Sequence, residues 1–76
     1  QERRIEFYAM PLASVVAEFN RYNRCRLVIS DRTLAAKPFT GVFRADEYQT
    51  FVRILETTFG VRAERRPDEI RLQPGR

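Results

Sequence analysis

Two runs of apolar residues spaced three and four apart set the terms for this chain. Leu12, Val15, Val16, Phe19 and Tyr22 form the first; Tyr48, Phe51, Val52, Leu55 and Phe59 form the second. That spacing lines one side of an α-helix, and a helix with one oily side must lay it against another layer. The intervening segments are short and alternate or carry β-branched residues, so the partner layer has to be sheet. Glu18 and Arg21 fall on the water side of the first helix, Arg53 and Glu56 on that of the second, and Ile54 near its boundary.

The first strand is expected over residues 3–9, where Ile5 and Phe7 alternate with Arg4 and Glu6. Met10-Pro11 breaks it, and Pro11 suits the first helical position, where its missing N–H is no loss. The helix then runs to Tyr22 or Asn23. Residues 26–30, with Leu27, Val28 and Ile29, predict a second strand buried on both faces. One tight helical turn over 34–38 precedes a third strand, 39–44, in which Phe39, Gly41 and Phe43 share a face. Asp46 stands where it could cap the second helix, with Gln49 reaching back, Glu47 complementing the dipole and Gly60 closing it. Residues 61–66 and 69–73 read as a hairpin turned through Pro67-Asp68. Residues 74–76 read as a frayed tail.

The expected order is β-α-β-β-α-β-β, an α+β domain of two βαβ halves spanning residues 1–76, with two helices over a small mixed sheet or a pair of short sheets. Its 76 residues leave room for one core, and a domain of this size buries only about 60% of its unfolded surface. Six Phe, three Tyr and a hydrophobic fraction of 43% argue for a packed globule rather than a disordered segment. The chain opens on Gln1 rather than Met and reads as a piece of something longer. Its longest apolar stretch is far short of the roughly 18 residues needed to span a bilayer, so no membrane contact is expected of this piece.

Chemistry is poorly provided for. There is no His, and Cys25 is the single cysteine; zinc sites of the usual spacing, internal disulfides and His-assisted nucleophiles are excluded on composition. The carboxylate pairs Asp46-Glu47 and Asp68-Glu69 are explained by a helix start and a turn. Cys25 lies between Arg24 and Arg26, which could lower a thiol's pKa, but no base or resolving cysteine stands near in sequence. No enzyme, cofactor or metal is expected.

Of fourteen basic residues only Lys37 is lysine, against ten carboxylates, giving a net charge of +4. A positive charge and this element order also describe RNA-binding folds, so a small basic nucleic-acid module is one alternative. The basic-Gly-aromatic signature of those folds is missing, there is no Gly-x-x-Gly clamp, and Phe39 and Phe43 read as core. Gly41, Gly60 and Gly75 stand apart, forming no phosphate loop. What remains is the hairpin edge, where Arg62, Glu64, Arg65 and Arg66 surround a strand of low hydrophobicity. Unpaired edges recruit strands, so these four residues are the candidate partner-binding set. The same charges would equally serve to guard the edge against aggregation.

The string from Pro11 to Tyr22, PLASVVAEFNRY, resembles the first helix of the C-terminal region of FecR-like transmembrane regulators, with Asn20-Arg21-Tyr22 its most telling part. The similarity continues through Leu27-Val28-Ile29-Ser30-Asp31, Phe39-Thr40-Gly41-Val42-Phe43-Arg44, Asp46, the second helix and Gly60-Val61. It implies the secretin and TonB short N-terminal domain fold, a compact double βαβ arrangement. It also implies a periplasmic, monomeric piece of an inner-membrane protein. Such a piece receives a signal from the N-terminal signalling domain of a TonB-dependent siderophore receptor and passes it toward a sigma factor. A secretin-type assembly domain is the second alternative within the same fold.

Overall fold

The computed structural model describes residues 3–75. Eight elements follow in the order β1 (Arg4–Pro11), α1 (Leu12–Tyr22), β2 (Arg26–Ile29), α2 (Arg32–Ala35), β3 (Pro38–Arg44), α3 (Tyr48–Thr58), β4 (Val61–Arg66) and β5 (Glu69–Pro74). The α+β class and the β-α-β-β-α-β-β order hold; the single helical turn expected over residues 34–38 is the short α2, which starts two residues earlier and ends at Ala35, with Pro38 already in β3.

The strands divide between two sheets. β1 pairs antiparallel with β3, while β5 lies between β2, to which it is parallel, and β4, to which it is antiparallel. Each βαβ half therefore sends its first strand to one sheet and its second strand to the other. The two helices close the space between them. Leu12, Val15, Val16 and Phe19 of α1 and Phe51, Val52 and Leu55 of α3 are all buried. They meet Phe7, Leu27, Phe39, Phe43, Val61, Ile70 and Leu72 from the strands.

All six phenylalanines join in one aromatic network, with Phe19 stacked on Phe51 at 4.8 Å and Phe39 meeting Phe51 edge-on at 5.3 Å. Offset and edge-to-face geometries add about 0.5–1.5 kcal/mol per pair beyond area burial. This concentration of rings lets so small a domain fill its centre. It also turns Phe39 and Phe43 inward, so they offer no platform on which a base could stack.

Several local expectations give way to tertiary geometry. β1 does not stop at Met10-Pro11 but runs to Pro11 through an irregularity, its register with β3 shifting between Phe7 and Met10. Ala9 takes φ +48 there, and its N–H is received by the Thr40 hydroxyl at 2.9 Å. Pro11 is consequently the residue before α1, with extended geometry, rather than its first turn. Strand β2 ends at Ile29 and, as an edge of its sheet, is only half-buried beyond Leu27 rather than buried on both faces. Tyr22 leaves the first stripe for solvent, lying beneath the Arg3 guanidinium at 5.2 Å.

The capping box expected of Asp46 and Gln49 does not form. Residues 44–47 close a turn in which the Glu47 N–H reaches the Arg44 carbonyl at 2.9 Å and the Glu47 carboxylate accepts from the Arg44 N–H at 2.8 Å. Glu47 thereby takes the position before α3, and Asp46 is left at the surface, 4.0 Å from the Arg44 guanidinium. Asp31 supplies the cap that sequence pattern missed, accepting from Leu34 N–H at 2.8 Å to start α2.

At the other end of α3 Gly60 does close the helix, at φ +67, the left-handed region glycine enters without penalty. Gly75 lies so close that a Cβ there would sit 2.1 Å from the Gly60 carbonyl oxygen. β5 also extends to Pro74, paired with Val61, one residue past the expected Gln73. Of the tail expected at 74–76, Arg76 lies outside the described residues.

Candidate functional site: the open face and edges of the three-stranded sheet

The β2-β5-β4 sheet buries one face and leaves the other bare. Leu27, Ile29, Val61, Ala63, Ile70 and Leu72 point inward, and ladder partners share a face. On the outer face the register sets Arg62 opposite Gln73, Glu64 opposite Arg71 and Arg66 opposite Glu69, with Arg26 beyond Glu69 on the far strand. Arg62, Arg66 and Arg71 thus stand among two glutamates on a solvent-facing surface, while the Arg26 guanidinium turns to the Asn20 carbonyl at 3.4 Å.

These charges are partly spent on each other. Arg71 binds Glu69 at 2.6 Å, Arg66 binds Glu64 at 3.4 Å, and the Arg62 guanidinium donates to the Gln73 amide oxygen at 3.3 Å. The Arg71 guanidinium is held above its ordinary pKa, first by the hydrogen bond to Glu69 and then by that carboxylate's charge. Among the described residues Arg62 has only the neutral Gln73 as a side-chain partner. Ion pairs as exposed as these contribute little to stability, so the lattice mainly sets the sign and pattern of the surface.

Of the four residues predicted as a set, three belong to this face. Arg62, Glu64 and Arg66 alternate onto it, and Arg65 alternates away. Arg65 lies against α3, its two terminal nitrogens meeting the Glu56 carboxylate at 3.2 and 3.4 Å, and that hydrogen bond holds its pKa up. The strand that carries them is an edge, as expected. The sequence reading sets all four around the strand without dividing its faces; a strand turns successive side chains to opposite faces, so Arg65 stands apart from the other three.

The opposite edge, β2, is arranged differently. The Asn20 carboxamide of α1 donates to the Leu27 carbonyl at 3.0 Å and accepts from the Leu27 N–H at 2.9 Å. One side chain thereby makes both bonds that a neighbouring strand would make. Asn23, at the end of α1, donates to the Phe19 carbonyl at 2.9 Å and to the Ala45 carbonyl at 2.7 Å, tying the helix end to the β3–α3 turn. The two asparagines flanking Arg21-Tyr22 are therefore fastenings of the fold, a role that periodicity could not reveal because their bonds to Leu27 and Ala45 reach residues beyond the helix.

On the second sheet Tyr8 and Val42 are exposed apolar side chains, Tyr8 at 86%. Cys25 is half-buried beside the core. Among the described residues no three His, Cys, Asp or Glu side chains gather as a metal site would need, and no helix is long and apolar enough to cross a membrane.

The fold recurs in solved structures. Two crystal structures of a protein from Parabacteroides distasonis ATCC 8503, described as a "putative anti-sigma factor", superpose on 93% of this chain with TM-scores of 0.76 and 0.74. Sequence identity is 15% in both, a likeness of fold. The chain spans about a third of each of those longer chains, 34% and 33%. No protein-family model matches the sequence, and no curated protein does.

Proposed function

We propose that this domain is the receptor-facing, periplasmic part of a FecR-like anti-sigma regulator: a protein-binding relay without catalytic chemistry of its own. The observation that carries the reading is the superposition of 93% of the chain on one third of a chain described as a "putative anti-sigma factor". The resemblance of PLASVVAEFNRY and TGVFR to the regulator family points the same way. In this reading the partner is the N-terminal signalling domain of a TonB-dependent receptor. Engagement changes how firmly the domain is held folded, and so the access of proteases to the rest of the regulator.

The open face around β4 is the contact surface that best suits such a partner. It is exposed and net positive, and it borders an edge strand whose outward backbone groups can accept another strand. An acidic strand or sheet face complements it, and opposite charge across an interface speeds encounter and fixes orientation.

Isothermal calorimetry with the receptor's signalling domain tests this. Arg62→Glu combined with Arg66→Glu should weaken binding about tenfold or more while leaving Tm close to that of the parent, since neither side chain is buried. The pair is chosen over Arg65 because Arg65 is turned to Glu56 of α3, whereas Arg62 and Arg66 lie on the open face, Arg66 against the exposed Glu64. Unchanged affinity removes the β4 surface from the reading, and no measurable binding by the parent domain overturns the relay itself.

A further inference from the structure

Strand β2 has two backbone rungs turned away from its sheet. Arg26 N–H bonds to the Asp68 carbonyl, so Arg26 and, two residues on, Val28 direct their backbone groups toward β5. Leu27 and Ile29 face the other way. Leu27 is taken by Asn20. The outward N–H and C=O of Ile29 meet no backbone or side-chain partner among the described residues.

Alongside this edge runs a groove of about 310 Å³ between α1 and β2, lined by Ala13, Val16, Ala17, Asn20, Leu27 and Ile29 among others. Ala13 and Ala17 are exposed and small, so a backbone laid there could come close to the helix. A second hollow shares Ala17 and Asn20 and leads on to Arg21 and Arg26. Arg24 is exposed in the connection between them. Glu18 occupies one side of Arg21, at 3.3 Å, and Arg26 donates weakly to the Asn20 carbonyl, at 3.4 Å. Three cations against one carboxylate leave this end of the groove positive.

From these observations we propose that the α1–β2 groove receives an extended acidic segment of a partner protein as an added strand, whose backbone bonds to Ile29 and displaces the Asn20 carboxamide from Leu27. The arginines at the α1–β2 connection receive its carboxylates, and small apolar side chains fill the Ala13–Ala17 side. Asn20 then acts as a stand-in strand: it satisfies Leu27 when the groove is empty and yields that rung when a real backbone arrives. The charge sign and the unfilled rung together specify the occupant, since an open N–H and C=O on one residue are complemented by extended backbone. This surface lies on the edge of the sheet opposite to β4, and it stands or falls independently of receptor binding.

Two capped hexapeptides test the proposal on the domain by NMR: acetyl-Asp-Asp-Val-Ala-Val-Ala-amide and acetyl-Ala-Val-Ala-Val-Asp-Asp-amide. One of them should produce saturable shifts of the Leu27 and Ile29 amides and of the Asn20 side-chain NH2, and which one does so gives the strand direction. Replacing its Asp pair with Lys should abolish the shifts. N-methylation of its alternate amides should abolish binding in one phase and spare it in the other. Asn20→Ala, which vacates the Leu27 rung, should tighten binding about tenfold. No saturable shift with either peptide overturns the proposal, as do shifts confined to residues 62–66, or N-methylated peptides that bind equally in both phases. These peptide experiments use the parent domain, so they decide the matter even where Asn20→Ala proves too unstable to study.

Discussion

Asn20 offers the sharpest test of how this domain is held together. Its side chain makes two hydrogen bonds to one residue, Leu27, at 3.0 and 2.9 Å. A hydrogen bond of this kind contributes about 1 kcal/mol net, so Asn20→Ala should cost about 2 kcal/mol, reduced to the extent that water enters the groove and serves Leu27 instead. For a domain of this size each kcal/mol shifts Tm by about 4–8 °C, and a loss of about 8–16 °C is expected in scanning calorimetry. Asn20→Asp keeps the shape and sharpens the test. Its carboxylate can still accept from the Leu27 N–H, but it faces the Leu27 carbonyl oxygen with no hydrogen to give. At neutral pH it should therefore cost at least as much as alanine. Protonation restores the donor, and that bond, made only by the acid, outweighs the pull of the exposed, solvent-screened Arg21, Arg24 and Arg26 on the carboxylate, so the folded pKa lies above the unfolded one. Relative to the parent, stability should therefore return as pH falls through the folded pKa and be lost again as pH rises. An alanine variant melting within about 2 °C of the parent, or an aspartate variant that weakens relative to the parent on acidification, would refute the account of Asn20 as a strand surrogate.

Other consequences can be checked on the same domain. Phe19→Ala or Phe51→Ala, each removing a fully buried ring of the stacked pair, should cost about 3–5 kcal/mol in urea unfolding; this is a large part of the total for 76 residues, and unfolding outright would agree with it. Ala9→Val, placing a β-branched residue at φ +48, should lower Tm, whereas Ala9→Gly should leave it level or raise it; the reverse order would contradict the bulged conformation of β1. A double-mutant cycle on Arg65 and Glu56 should give a coupling below about 1 kcal/mol that shrinks with added salt, as exposed pairs do. Tyr8→Ser, at the most open aromatic position, should change stability by less than about 0.5 kcal/mol.

What the sequence made legible follows the range over which each signal acts. The stripes of α1 and α3 and the Pro67-Asp68 hairpin depend on residues a few positions apart, and they appear where expected. The division of strands between two sheets depends on which strand lies beside which after folding, and no local spacing encodes that. The cap of α3 expected at Asp46 failed because the turn with Arg44, reached along β3, brings Glu47 rather than Asp46 to the position before the helix. The candidate edge was legible as a charged strand of low hydrophobicity. Its two faces were separable by alternation alone, which would have set Arg65 apart from Arg62, Glu64 and Arg66. The role of Asn20 was hidden by its ordinary appearance on a polar helix surface, since its partner, Leu27, is a backbone site reached only after the chain has turned back.

The position of β5 has a consequence for how the molecule comes into being. Within this domain β5 comes after both strands that it joins, so a chain emerging from the ribosome holds β2 without its ladder partner until residues 69–74 have been added. Until then Leu27 and Ile70 cannot meet, and the core lacks Ile70 and Leu72. The domain should stay protease-sensitive through most of its synthesis and close in one late step, and cutting away the final strand should dismantle the sheet from its centre rather than trim its margin.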